Sequence, residues 1–500
     1  MSRLVPLALT LFAALSVSSR GQIAGGPCPT AYATQQTILL SKALVCVVPQ
    51  VYGAGGLVGV PNNGPLGSTD VTSAAFKHAV HFQASSLGSF APLTEEIGTQ
   101  INQLNLPVTS PSAGFIVLFN PSLGVESVTT RNLGSPMSER AQTIGRHKLV
   151  IGLSYQYFNF DRVDGVNMRS FSSVFQSEHE NCPNLPTVTC INGTGPPVIT
   201  KDYISAANRI DLKVHQITAV ATFGVTNHFD LSIAVPILNV RMDMTSSAHI
   251  NSLEASDPTI LPVCCVNQFA PPPVTTPGEA LGPLATAPSN GFQSYDSASF
   301  FRASSASGIG DVVFRSKYQV FRGEKLGIAV GGDIRLPTGD ELNFLGTGTW
   351  GVRPFGTFSY SSRLSPHATV GYQVNGSSVL GGDVSTDTTA KLPGVLTYSF
   401  GADCGISTKL SLSADFLGQS LFNDKKIAPT ATTTLAADAS VIQVPGLQAS
   451  TGTSNQASMA LGGKIKPIGK LFLTADVLFR VNQAGLHFKP APLVGLSYEF

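Results

Sequence analysis

From Leu149 to the last residue the chain repeats one pattern, in which apolar and polar residues alternate along short runs. Period-two alternation places successive side chains on opposite faces of a strand. Twelve such runs lie at approximately 148–160, 209–225, 229–245, 309–322, 325–336, 350–363, 366–375, 393–404, 408–421, 455–466, 469–481 and 492–500. Each is near the ~9–11 residues that a tilted membrane strand needs. In 309–322, Val312, Phe314, Tyr318 and Val320 oppose Asp311, Arg315, Lys317 and Gln319. In 469–481, Leu471, Leu473, Ala475, Val477 and Phe479 oppose Thr474, Asp476 and Arg480. The parity slips near Gln216 and Pro236, and a bulge is the expected way to absorb the slip.

The connections are short and long in turn. The short ones are TNH (226–228), GE (323–324), LS (364–365), GIS (405–407) and PI (467–468). The long ones are 161–208, 246–308, 337–349, 376–392, 422–454 and 482–491. Every short turn therefore falls on one side of the sheet and every long loop on the other. Outer-membrane barrels have this asymmetry, with short periplasmic turns and long extracellular loops. The fold expected is all-β: a transmembrane antiparallel up-and-down β-barrel of about 12 strands (range 10–14). The last run, LVGLSYEF, puts Val494, Leu496, Tyr498 and Phe500 on one face and reads as the closing strand, pairing with 149–160. Its terminal Phe500 marks it as the element offered to the barrel-assembly machinery. The long segments 251–300 and 423–454, rich in Pro, Ala, Thr and Ser, read as mobile loops.

Charged residues make up 12% of the chain and the formal net charge is +1. Soluble proteins carry about twice that charged fraction. A wall that faces lipid needs few charges, and a neutral balance leaves no footprint for nucleic acid. The N-terminus, MSRLVPLALTLFAALSVSS, has an early cation and an apolar run too short to span as a helix. It reads as a signal peptide over 1–21, with cleavage near Ser19 to Ala24, which implies export to a Gram-negative outer membrane. Of seven cysteines, Cys28 with Cys46 and Cys182 with Cys190 are disulfide candidates, which export permits. No Cys or His spacing suits a metal, and no cofactor is expected.

Residues 22–147 differ from the barrel. The stretch APLTEEIGTQINQLN places Leu93, Ile97, Ile101 and Leu104 on one face of a short helix near 92–105, with Glu95 and Glu96 in its first turn. This segment is either a periplasmic linker with a docked helix or a plug that enters the barrel.

The alternation assigns a set of charges to the lumen: Arg209, Asp211, Lys213, Asp230, Arg241, Asp311, Arg315, Lys317, Asp333, Arg335, Arg353, Asp415, Lys464, Asp476 and Arg480. Mixed signs suit cross-strand pairing, or a polar constriction without strong ion selectivity. About eight strands leave a lumen filled by side chains and sixteen an aqueous channel, so twelve implies a narrow or plugged path. Asp340 and Glu341 are too few oxygens for a divalent cation and read as part of a turn. Of the histidines, His228 and His367 fall at the short turns, His487 in a loop, and His215 alone on the lumen face. With no G-x-S-x-G, Walker or dinucleotide fingerprint, an enzyme is not expected.

Gly308-Ile309-Gly310-Asp311, Leu336-Pro337-Thr338-Gly339-Asp340 and Gly346-Thr347-Gly348-Thr349-Trp350, together with GLSYQYFNFDRVDG and FGVTNHFDLSIAVPI, resemble a known family. It is the outer-membrane β-barrel family catalogued as putative MetA-pathway of phenol degradation proteins. The resemblance covers roughly 148–500, with SERAQTIG (138–145) just ahead of it. It implies a transporter-like barrel that helps hydrophobic or aromatic compounds across the outer membrane, in contact with outer-membrane lipid and hydrophobic small molecules. A surface-exposed structural or binding barrel without transport is the alternative. The rim loop that the motifs define comprises Leu336, Pro337, Thr338, Gly339, Asp340, Gly346, Gly348 and Trp350.

Overall fold

The computed structural model of the chain describes residues 39–45, 57–60, 90–102, 116–120, 125–129, 133–135, 137–176, 203–251, 266–269, 297–384, 387–435 and 441–500. The predicted signal peptide, Leu104, Cys28, Cys46, Cys182 and Cys190 lie outside the described residues.

Twelve antiparallel strands close into a barrel. They are β1 (Leu149–Val163), β2 (Tyr203–Gly224), β3 (Phe229–Asn251), β4 (Val312–Arg322), β5 (Leu326–Leu336), β6 (Gly351–Tyr360), β7 (Leu364–Asn375), β8 (Gly394–Ser407), β9 (Leu410–Leu435), β10 (Val441–Ile465), β11 (Leu471–Arg480) and β12 (Ala491–Glu499). Each pairs with its neighbours in chain order, and β12 closes on β1 with Leu496 opposite Leu153 and Tyr498 opposite Ile151. The Phe500 N–H donates to the Leu149 carbonyl at 2.8 Å. The closure leaves no free sheet edge for lipid to meet, which a spanning sheet requires.

Outward rows form an apolar belt. Ile151, Leu153, Ile217, Phe223, Leu231, Ile237, Tyr318, Val330, Val370, Leu461, Val494 and Leu496 are all exposed. A ring of exposed large apolar side chains around a closed barrel is a lipid-facing surface.

Several strands run past this belt on the long-connection side. β2 and β3 pair without a break from Tyr203↔Asn251 to Gly224↔Asp230. Ser297–Ile309 pairs with the upper half of β3 and leads through Gly310 and Asp311 into β4. β9 and β10 pair up to Leu435↔Val441. Most of 422–454, expected as a loop, is thus a hairpin that prolongs the wall. So are Ser246–Asn251 and Ser297–Ile309 within 246–308, and Phe171–Gln176 of 161–208 pairs with β2. The misreading has a physical cause. These stretches lack apolar alternation, but ladder pairing is made by the backbone, and Thr-rich sequence such as Thr430 to Thr434 suits a strand.

The wall reverses its polarity with height, and no bulge is involved. In the belt, β2 turns Ile217 and Phe223 outward and Gln216, Thr218 and Thr222 inward. Above it the same outward row continues as His215, Lys213, Asp211 and Arg209, while Leu212, Val214 and Ile210 point in. β3 does likewise, with Leu231 and Ile237 outside below, Arg241 and Asp243 outside above, and Val240, Met242 and Met244 inside. Arg209, Asp211, Lys213 and Arg241, expected in the lumen, therefore lie on the outer surface, as does His215. Arg169 and Lys213 flank Asp211 at 3.3 and 3.4 Å, and Arg241 lies 3.3 Å from Asp243. Lipid surrounds the lower half and water the upper, so the apolar row must exchange faces at the boundary while the strand keeps its pleat.

The inward apolar rows of the upper half need a core, and two helices supply it. α1 (Leu40–Val45) and α2 (Phe90–Ile101) pack with Leu212, Met242, Phe344 and Leu380 in one buried cluster. Three short two-stranded pairs, Leu57–Val60 with Val266–Phe269, Ile116–Asn120 with Val125–Thr129 and Ser377–Asp383 with Thr388–Lys391, are separate from the barrel sheet among the described residues.

Candidate functional site: a strap and a helix inside the lumen

Residues 133–145 cross the lower lumen as an irregular strap. The Leu133 N–H donates to Ser411 on β9 at 2.7 Å, and the Ser135 hydroxyl donates to Asp415. Further along, Ala141 N–H donates to Ser359 on β6 at 2.9 Å, Gln142 to Ser361 at 3.1 Å, and Ile144 N–H to Asp230 on β3 at 3.1 Å. Gly134 and Gly145 have φ of 76° and 91°, a left-handed backbone that glycine adopts freely.

Glu139 and Arg140 anchor the middle. Glu139 lies 2.7 Å from Arg315 and 2.8 Å from Lys317. Lys317 also donates to the carbonyls of Arg140 at 3.1 Å and Gln142 at 2.7 Å. All three ammonium protons therefore have acceptors on the strap. Arg315 forks onto Asp333 at 2.7 and 2.9 Å, and Arg353 meets the same carboxylate at 3.0 and 2.5 Å. Arg140 is ion-paired with Asp403, and His367 lies 2.7 Å from Asp415 and 3.6 Å from Asp403. His367, read as a short-turn residue, is thus a buried lumen residue. β7 begins at Leu364, and its inward row starts with Ser365 and His367.

Asp230, Asp311, Arg315, Lys317, Asp333, Arg335, Arg353, Asp415, Lys464, Asp476 and Arg480 all sit on inward rows. They do not form an open ring, because the strap fills the space between them. Glu139, Arg140, Asp403 and Gln100 also belong to the site, and they lie outside the set that the strand alternation assigns to the lumen. SERAQTIG was visible as a motif, but nothing in its composition says which walls it touches.

Helix α2 closes the upper lumen. Leu93, Ile97 and Ile101 repeat every four residues and are buried, and so are Thr94, Glu95, Glu96, Thr99 and Gln100 on the other faces. A short helix buried all round is enclosed rather than docked on a surface. Gly98 permits the close approach, since a Cβ there would stand 2.9 Å from Leu380 and 3.0 Å from Phe344. Gln100 donates to Glu96 at 3.1 Å and Asp424 at 3.3 Å, and accepts from the Leu486 N–H. Burial pushes the Glu95 carboxyl up to about 8 against the pull of Lys425, with Asp383 and Asp424 adding to the rise. Burial raises Glu96 as well, reinforced by Asp164 and Asp424 and opposed by Gln100.

The motif segments converge on one carboxylate. Asp311 accepts from Gly339 N–H at 3.1 Å, Thr347 N–H at 2.8 Å and the Thr347 hydroxyl at 2.5 Å. Thr338 donates to Gly310 at 2.7 Å. Gly310-Asp311, Thr338-Gly339 and Thr347 are therefore one unit, and it folds Phe344, fully buried, onto α2. Asp340 caps the turn Glu341–Asn343, as a structural reading of that pair requires. No group of three metal-ligating side chains occurs among the described residues.

Residues 214–457 match the family model described as "Putative MetA-pathway of phenol degradation". The match runs from the middle of β2 into β10 and contains all three motif segments, and the strap lies ahead of it. A comparison with curated protein sequences finds no match. Among solved structures, an outer membrane channel from Pseudomonas putida F1 aligns at 9% identity, TM-score 0.39, covering 73% of this chain and 99% of that one. A Pseudomonas aeruginosa FadL homologue aligns at 10% identity, TM-score 0.28, over 71% and 90%. The P. putida toluene transporter TodX aligns at 8% identity, TM-score 0.28, over 71% and 90%.

Between the strap, the end of α2 and the wall of β4 to β9 lies a cavity of about 140 Å³. Arg315, Arg335 and Arg353 line it with Asp333 and Glu139, and Phe355 supplies an aromatic ring. The Arg315 and Arg353 guanidiniums stand 5.4 and 5.7 Å from the Phe355 ring centre.

Proposed function

We propose that the protein is an outer-membrane channel that lets small hydrophobic or aromatic compounds pass passively once the strap and α2 shift. The observation that carries this reading is the strap itself. It fills the lumen, yet it is held by ion pairs and hydrogen bonds to the wall rather than by a strand ladder. Water that enters as the strap moves can take over these polar contacts, which a strand ladder would not allow piecemeal. The apolar belt, the short and long ends and the family match support an exported barrel of transporter type. The signal peptide and the C-terminal strand ending at Phe500 would serve export and recognition by the barrel-assembly machinery.

A second reading, a surface-exposed binding barrel without transport, draws on the long β9–β10 hairpin that prolongs the wall. Planar-bilayer recordings separate the two. Full-length protein and a Glu139→Ala variant, both shown folded by heat-modifiable gel migration, are compared. Discrete openings that become more frequent in the variant support the channel. Silence in both supports the binding barrel.

A further inference from the structure

Arg335 is an incompletely satisfied cation of the lumen wall. Its Nη2 donates to Asn375 at 2.7 Å, but its buried Nε has no hydrogen-bond acceptor. Asp311 is the nearest carboxylate at 3.7 Å, and its oxygens already accept from Gly339 and Thr347. Arg335 lines the cavity beside Arg353, whose guanidinium is taken by Asp333 and Thr397. On the cavity surface three guanidiniums therefore face two carboxylates, Asp333 and Glu139. Apolar side chains also line it, among them Phe355, Leu417, Met137 and Val313, and Gln373 and Thr397 add polar groups. A cavity of about 150 Å³ accommodates one benzene ring.

We propose that this cavity binds one small aromatic monoanion of the carboxylate class, with its acidic group on Arg335 and its ring against Phe355 and Leu417. The inference deepens the channel reading and rests on it only for the route by which the anion arrives. The planar fork of Arg335 suits a carboxylate, and the ring fills the apolar side that a hydrated inorganic anion would leave wet.

Titration calorimetry on the full-length protein in detergent tests this, with sodium benzoate, neutral benzyl alcohol and sodium chloride as the probes. Benzoate should bind at one site, with benzyl alcohol and chloride at least about tenfold weaker, because charge-assisted hydrogen bonds are the strong ones. Arg335→Gln should weaken benzoate about tenfold or more. Val313→Phe fills the cavity from β4 and keeps every charge, and it should abolish binding. Equal binding of benzoate and benzyl alcohol, or full binding in folded Val313→Phe, overturns the proposal. If Arg335→Gln does not fold, those two results still decide it. Benzoate binding in a barrel that never conducts would retain the site and discard the channel. Conduction without benzoate binding would do the reverse.

Discussion

Glu139 on the strap lies 2.8 Å from the ammonium of Lys317 on β4, across 178 residues of sequence. Both side chains are buried, and Glu139 also holds Arg315. Removing one partner of a buried ion pair costs about 3–5 kcal/mol. Glu139→Gln should therefore loosen the strap while leaving the barrel wall intact. Limited proteolysis should then cut within 133–145, with the heat-modifiable barrel band retained. A strap as resistant as in the unmodified protein would show that Glu139 does not hold it.

Asp311→Ala should release the loop that carries the motif segments. It orphans the Gly339 and Thr347 N–H groups and the Thr347 hydroxyl. Each buried donor left without an acceptor costs about 1–3 kcal/mol. The expected outcome is a lower melting temperature and new cleavage between Leu336 and Gly351. Asp311→Asn, which keeps an acceptor oxygen, should lose less.

The α2 carboxyls make its seating depend on pH. Glu95 is raised to about 8 and Glu96 is raised as well, each by burial first. Asp164, Asp383 and Asp424 face them from the wall, with Lys425 and Lys426 close by. A folded-state pKa above the unfolded value means that the folded state binds more protons, so the contribution is full at low pH and is lost as pH rises towards 8. The protection factors of α2 amides, from which the intrinsic pH dependence of exchange is removed, should fall between pH 5 and about 8. Glu95→Gln with Glu96→Gln should flatten that profile, and a slope unchanged in the double variant would exclude these groups as its source.

The reversal of wall polarity predicts a labelling pattern. Arg209→Cys should react with a membrane-impermeant maleimide on whole cells, above the background of the unmodified chain. Ile210→Cys, one residue on and 2% exposed, should not. Equal labelling at both positions would contradict the inward apolar core.

How much was legible in the sequence depended on where a residue sits relative to lipid. Within the belt, Val312 to Val320 and Leu471 to Phe479 show their face directly, because lipid outside and polar contacts inside impose opposite chemistry on alternate residues. Above the belt, Arg209, Asp211, Lys213 and Arg241 keep the same alternation with the opposite meaning. A period of two tells which residues share a face. It does not tell which face is inside, and the surrounding solvent decides that.

The sequence by itself determined the strand count, the pairing order and the closure of β12 on β1, because turn length and alternation are local properties. It also determined that Leu93, Ile97 and Ile101 form an apolar helix face. Only the tertiary structure decided that this helix and SERAQTIG lie inside the barrel, that Asp311 gathers the motif segments, and that Arg335 lacks a hydrogen-bond partner at its Nε. Those contacts join residues tens to hundreds of positions apart, and what selects them is the burial of charge against complementary charge, which no short stretch of sequence records.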